Sequence, residues 1–90
     1  MADTYITLSA TDTAQSYDLG MEWIMFVVRN RGPYPVRVRI GDSSATVDSS
    51  TGMYILPGET RIINMPGQYI HYIAVGPGSP TATIEVEAFI

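Results

Sequence analysis

Cysteine and lysine are both absent from this 90-residue chain, and histidine and tryptophan occur once each. Without cysteine there can be no disulfide staple, no thiolate zinc site and no cysteine nucleophile. Without lysine, all five positive charges are arginine. A Ser/His/Asp catalytic set would have to use His71, which falls inside a strand-like segment with no Gly-x-Ser-x-Gly elbow anywhere in the chain. Long apolar runs are missing too. The most apolar stretch, Trp23 to Val28, is far shorter than the roughly 20 residues of a membrane-spanning helix. Met1 to Gly20 contains Asp3, Asp12 and Asp18 and has neither a basic start nor an apolar core, so no targeting signal is expected there. The net charge of -4 argues against generic binding to nucleic acid or anionic membrane. These absences remove most enzyme chemistry and imply no cofactor and no metal.

What is present reads as all-β. Val36, Val38 and Ile40 alternate with Arg37 and Arg39, and Ala82, Ile84, Val86 and Ala88 alternate with Thr83, Glu85 and Glu87. That period of two is the mark of a strand with one face in water. β-Branched and aromatic residues dominate Glu59 to Asn64 and Tyr69 to Val75, as strands prefer. Further strands are expected near Thr4 to Leu8, along one long run from Met21 to Asn30, and at Met53 to Leu56. Between them lie Gly32-Pro33-Tyr34-Pro35, Pro57-Gly58, Pro66-Gly67 and Gly76-Pro77-Gly78-Ser79-Pro80, all turn chemistry. Pro57 and Gly58 suit the second and third places of a tight turn. Asp12 to Asp18 offers one short helical turn at most. The Ser/Thr-rich stretch from Asp42 to Thr51 is the one long loop, expected to be mobile or in contact with a partner. The sum is a small antiparallel β-sandwich or jelly-roll-like barrel of about seven to eight strands. Residues 1–20 form an N-terminal strand or arm and residues 21–90 the sandwich, together a single domain. A chain this short buries only about 60–65% of its unfolded surface, which makes subunit contacts attractive as a source of stability.

Candidate sites are few. Asp42 and Asp48 flank the Ser/Thr loop, but their spacing matches no EF-hand. Glu85 and Glu87 point the same way from one strand, about 7 Å apart, and read as plain solvation rather than a glycosidase pair. Tyr34, Tyr54, Tyr69 and Tyr72 would suit sugar stacking in a carbohydrate-binding module, although scattered strand tyrosines are more often ordinary packing.

Arg29, Arg31, Arg37 and Arg39 are the informative constellation. If Ile24, Phe26 and Val28 face the core along with Val36, Val38 and Ile40, all four guanidinium groups face outward. Antiparallel pairing through the Gly32 to Pro35 turn would then gather them in one patch. Like charges across a ladder repel, so the patch needs carboxylates. Either Glu85 and Glu87 supply them internally, or a partner's acidic surface does so through bidentate pairs. In the same register Trp23, Met25 and Val27 lie on the opposite side of their strand. They form an interface stripe if that side is open, or ordinary core if the strand is covered on both faces. Arg29, Arg31, Arg37, Arg39, Trp23 and Met25 are therefore the expected partner-binding residues.

Several segments carry a resemblance: Arg29-Asn30-Arg31-Gly32, then Pro35-Val36-Arg37-Val38-Arg39-Ile40-Gly41, and, after the Ser/Thr loop, Gly52-Met53-Tyr54-Ile55-Leu56-Pro57-Gly58-Glu59. Their order is similar to that of the small β-sandwich virion proteins encoded among tailed-bacteriophage structural genes, over about two thirds of the chain from Trp23 onward. The resemblance implies a structural role without catalysis, most directly a capsid decoration (cement) protein that binds the outer head shell and bridges capsomers. Its partner would be the major capsid protein, its state a homo-oligomer with a trimer favoured, and its location the virion surface after synthesis in the host bacterial cytoplasm. A tail- or neck-associated virion protein, or a carbohydrate-binding module, is the alternative.

Overall fold

The computed structural model describes residues 3–90. Every regular element is a strand: β1 Asp3–Ala10, β2 Gln15–Trp23, β3 Met25–Pro33, β4 Val36–Gly41, β5 Met53–Ile55, β6 Thr60–Ile63, β7 Gly67–Ala74 and β8 Ala82–Phe89. They form two four-stranded antiparallel sheets, sheet A in the order β1-β8-β3-β6 and sheet B in the order β2-β7-β4-β5. Only the β4–β5 connection stays within one sheet; each of the others crosses from one sheet to the other. This is the winding of a jelly roll. The sandwich expected from the sequence is therefore present.

The period-two patterns place the core. Phe26, Val28 and Asn30 of β3, Val36, Val38 and Ile40 of β4, and Ile84, Val86 and Ala88 of β8 all point inward and are buried. Ile55 and Ile70 complete the centre of the interior, where neither is accessible to water. Each valine, isoleucine or phenylalanine among them contributes roughly 1.5–3 kcal/mol by leaving water, which lets a chain of this size fold without disulfides.

Three local expectations change. Among the described residues before Met21, β1 is the strand expected near Thr4 to Leu8, but a second strand joins it: β2 starts at Gln15, inside the Asp12 to Asp18 segment for which no more than one short helical turn was expected. The long strand from Met21 to Asn30 is broken at Ile24, where the chain passes from sheet B to sheet A. The break resets the side-chain phase: Trp23 points inward from one sheet and Phe26 inward from the other, so Ile24 and Met25 both turn outward.

The third change concerns the arginines. Because β3 and β4 lie in different sheets, the Gly32 to Pro35 segment is a bridge across the sandwich rather than the tip of a hairpin. Arg29 and Arg31 emerge from sheet A, and Arg37 and Arg39 from sheet B. The single patch of four guanidinium groups does not form.

Buried Asn30 organises this bridge. Its Nδ2 donates to the main-chain oxygens of Tyr34 and Ile55, its Oδ1 accepts from Gly32 N–H at 2.7 Å, and its main-chain oxygen accepts from Gly58 N–H. Gly32 adopts φ +80°, a conformation that costs glycine little. Nearby, Leu56-Pro57-Gly58-Glu59 makes the tight turn expected of it, with Gly58 at φ +83°. Glu59 N–H donates back to Leu56 O, and the Glu59 carboxylate accepts from Leu56 N–H at 2.9 Å and pairs with Arg61 at 3.0 Å. Those two contacts hold its carboxyl below the usual carboxylate range.

Candidate partner-binding surface

The two arginine pairs have different occupations. On sheet A, Glu85 sits directly opposite Arg29 in the ladder, and its Oε1 lies 3.8 Å from Arg29 and 3.6 Å from Arg31. The internal compensation foreseen for Glu85 is thus present for this pair, while Arg31 still reaches solvent. Glu87 takes no part in an ion pair among the described residues.

On sheet B the guanidinium groups face their own chain. Arg37 donates to the main-chain oxygens of Ser49 and Gly52, and it stacks over Tyr54 at 4.8 Å from the ring centroid. Arg39 donates to Thr46 O. Both therefore tie the Asp42–Thr51 loop to the sheet. Within the loop, the Asp42 carboxylate accepts from Ser44, and that of Asp48 accepts from Ser50 and Thr51. These hydrogen bonds lower the pKa of each carboxyl. Val47 tucks inward against Gly52. The loop, expected to be mobile or in contact with a partner, is pinned at several points to its own sheet.

Trp23 belongs to the core, at 5% exposure, so it presents no stripe to a partner. Met25 remains half-buried on the outer face of sheet A.

His71 is buried on β7. Its Nε2 lies 2.7 Å from the main-chain oxygen of Asp42 and its Nδ1 lies 2.6 Å from Ser16 Oγ. Since a carbonyl only accepts, Nε2 carries a proton, and in the neutral ring Nδ1 then accepts from the Ser16 hydroxyl. The imidazole meets the peptide group of Asp42, whose carboxylate is engaged by Ser44, and so it acts as a clamp from β2 across β7 to the start of the loop.

An apolar cluster on sheet A takes in Met25 and Val27 of the stripe foreseen from the sequence and adds Ile24, Ile62 and Ile90, which the sequence reading missed. Across the outer face one row runs Tyr5–Glu87–Val27–Ile62, and the pair Phe89–Met25 lies beside it. Ile62 is 64% exposed and Ile24 59%, and Ile90, next to Phe89, is half-exposed. Ile24 N–H donates to Phe89 O, which fixes the bend beside the C-terminal strand end. The adjoining row, Thr7–Glu85–Arg29–Thr60, is polar and charged, with Arg29 Nε donating to Thr60 Oγ1. One clue to this cluster was in the sequence: Ile62 and Ile63 are adjacent, and only one residue of such a pair can face the interior of a strand.

No protein-family model matches this sequence, and no curated protein matches it. Among solved structures, the fold is similar to that of a protein from Bacillus endospore appendages, described as a novel family of disulfide-linked pili. The TM-score is 0.52 at 10% identity, over 99% of this chain and 86% of that one. At that identity the likeness is one of fold.

Proposed function

We propose that this chain is a structural subunit of a larger protein assembly, and that it docks through the apolar end of sheet A's outer face. The observation that carries this reading is the cluster of Ile24, Ile62 and Ile90 around half-buried Met25 and Val27. Exposed apolar side chains grouped together and bordered by the Glu85–Arg29–Arg31 charges have the anatomy of a protein–protein contact: an apolar centre with a polar rim. Of the six residues picked out from the sequence, Met25, Arg29 and Arg31 stay in this proposal. Trp23, Arg37 and Arg39 leave it, because core packing and the chain's own loop occupy them.

The setting we favour is the surface of a tailed-phage head, with the major capsid protein as partner, on the strength of the motif resemblance. Many copies on a symmetric lattice convert a modest affinity per copy into strong reinforcement of the shell. A second setting, subunit of a filament or of a tail or neck structure, draws support from the fold likeness to an appendage protein. Having no cysteine, this chain would build such an assembly without disulfides. In place of the trimer implied by the resemblance we favour the two-fold pairing argued below.

Cryo-electron microscopy of intact phage particles that carry this gene is the test. Density for the sandwich on the outer head, with Ile62 at the contact, is the expected result. Absence of the chain from intact particles removes the virion setting, and an Ile62→Asp variant that occupies particles as well as wild type removes the docking face.

A further inference from the structure

A sandwich has four sheet edges, and three of these are blunted. In sheet A, β6 has four residues and lies between Pro57 and Pro66. In sheet B, β5 has three residues and runs straight toward Pro57, while β2 carries Asp18 and Glu22 and shifts register against β7 between Asp18 and Trp23. Short strands, prolines, irregularities and charges are the usual defences of an exposed edge.

The fourth edge, β1, is long and free of proline, and its one charged residue is Asp3 at its first position. It pairs with β8 over eight consecutive residues without a bulge, and among the described residues nothing is hydrogen-bonded along its other side. From Thr4 to Ala10 it contains no proline, no glycine and no charged residue. A row of main-chain N–H and C=O groups therefore faces outward along it, and a row of that kind is completed by another extended strand.

We infer that β1 pairs with β1 of a second copy of this chain, antiparallel and centred on Thr7, so that the two sheets A become one continuous sheet. Three features select a copy of the same strand over other occupants. The first is charge: two molecules of an acidic chain repel, and Thr4 to Ala10 is a segment where they meet with no like charges opposed. The second is the margin of the core, where Ile6 of β1 and Leu19 of β2 are only partly buried. A strand added to β1 covers that margin if it carries aliphatic residues at alternate positions, and β1 itself does, at Ile6 and Leu8.

The third feature is register. Directly opposed residues of an antiparallel pair share a face, so a two-fold axis at Thr7 sets Ile6 against Leu8 of the second copy on the inner face. It also sets Tyr5 against Ser9 of the second copy on the outer face. This centring uses the whole uncharged run and allows roughly six to eight new main-chain hydrogen bonds. The inference is independent of the docking reading, which concerns the other end of sheet A's rows, at Ile24 and Ile62.

Sedimentation equilibrium of the full chain tests it, with variants on the outward face of β1. Tyr5→Lys/Ser9→Lys opposes two like-charge pairs across the axis and weakens dimerisation about tenfold. Tyr5→Lys/Ser9→Glu opposes unlike charges and stays within about threefold of wild type. The absence of cysteine also gives a background-free cross-link. With opposed Cα atoms about 4.5–5.5 Å apart, Thr7→Cys forms a covalent dimer under mild oxidation, and Thr60→Cys on the far edge of the same sheet does not. A wild-type chain that is monomeric at every concentration, or trimeric, overturns the pairing, as does a Thr7→Cys chain that cross-links no faster than Thr60→Cys. Equal behaviour of the two double variants overturns the Thr7 register.

Discussion

Asn30 Nδ2 donates to the main-chain oxygen of Ile55 at 3.0 Å, and this hydrogen bond joins a strand of sheet A to a strand of sheet B. The same amide also receives Gly32 N–H and reaches Tyr34 O, so one buried side chain satisfies three main-chain groups at the crossing.

Removing this amide is costly. Asn30→Ala removes the side-chain partner of two carbonyls and one N–H around a buried position, at a cost of about 2–4 kcal/mol. Asn30→Asp is expected to be at least as damaging, because a carboxylate cannot donate to Tyr34 O and Ile55 O. Urea unfolding midpoints measure both. A loss of less than about 1 kcal/mol in each shows that the crossing is held by packing.

His71 carries its proton on Nε2 in the folded chain. Nitrogen-15 NMR of the neutral imidazole distinguishes the tautomers, and a proton on Nδ1 in place of Nε2 contradicts the Ser16–His71–Asp42 clamp. Truncation by His71→Ala removes both hydrogen bonds and opens a void beneath the loop, costing about 2–3 kcal/mol. Ser16→Ala, at the exposed end of the clamp, costs less than about 1 kcal/mol.

Gly67 is required by close approach, not by an unusual backbone angle. A Cβ there would stand 2.5 Å from Ile40 Cγ2 and 2.9 Å from the main-chain nitrogen of Gly41, where β7 begins beside β4. Gly67→Ala forces these strands apart and is expected to lower stability by about 1–3 kcal/mol. Thermal unfolding reads this as a drop of several degrees or more in a domain of this size. An unchanged midpoint shows that Ile40 has room to move.

Acid weakens the fold through its turn carboxylates. Asp18, Asp42, Asp48 and Glu59 all have folded pKa values below their ordinary ones: Asp18 through Gln68 and the Gly20 N–H, Asp42 and Asp48 through neighbouring hydroxyls and N–H groups, Glu59 through the Leu56 N–H and Arg61. A carboxyl that binds its proton less readily when folded contributes stability above its unfolded pKa, near 4, and loses it as pH falls through the folded value. The contribution of these carboxylates is therefore level near neutrality and declines on acidification below about pH 4–5. Glu59→Gln keeps an acceptor for Leu56 N–H and removes the charge, so its acid limb is shallower. Equal acid limbs in the variant and wild type would falsify the role of Glu59.

Much of this architecture was legible because a period of two survives any tertiary arrangement. Val36, Val38, Ile40, Ile84 and Val86 alternate with polar neighbours, and all are buried. The Pro57-Gly58 turn was readable for the same local reason: proline fixes one dihedral angle and glycine permits the next. The candidate surface was less legible. Ile24 reads as core until the chain is known to change sheets beside it, and the arginines read as one patch until β3 and β4 are known to lie on opposite sides.

The amino-acid sequence by itself determined that this is an all-β chain, which residues of most strands face inward, where the tight turns fall, and that neither cysteine chemistry nor a disulfide is open to it. These properties depend on neighbours in the chain, through side-chain alternation, backbone dihedral preference and residue identity. Tertiary structure alone decided which strands pair and therefore which charges meet. Glu85 reaches Arg29 and Arg31 because β8 is inserted between β1 and β3, and Arg37 and Arg39 hold a loop because β4 lies in the other sheet. Such pairings join residues far apart in the chain, and alternation is identical whichever partner a strand takes.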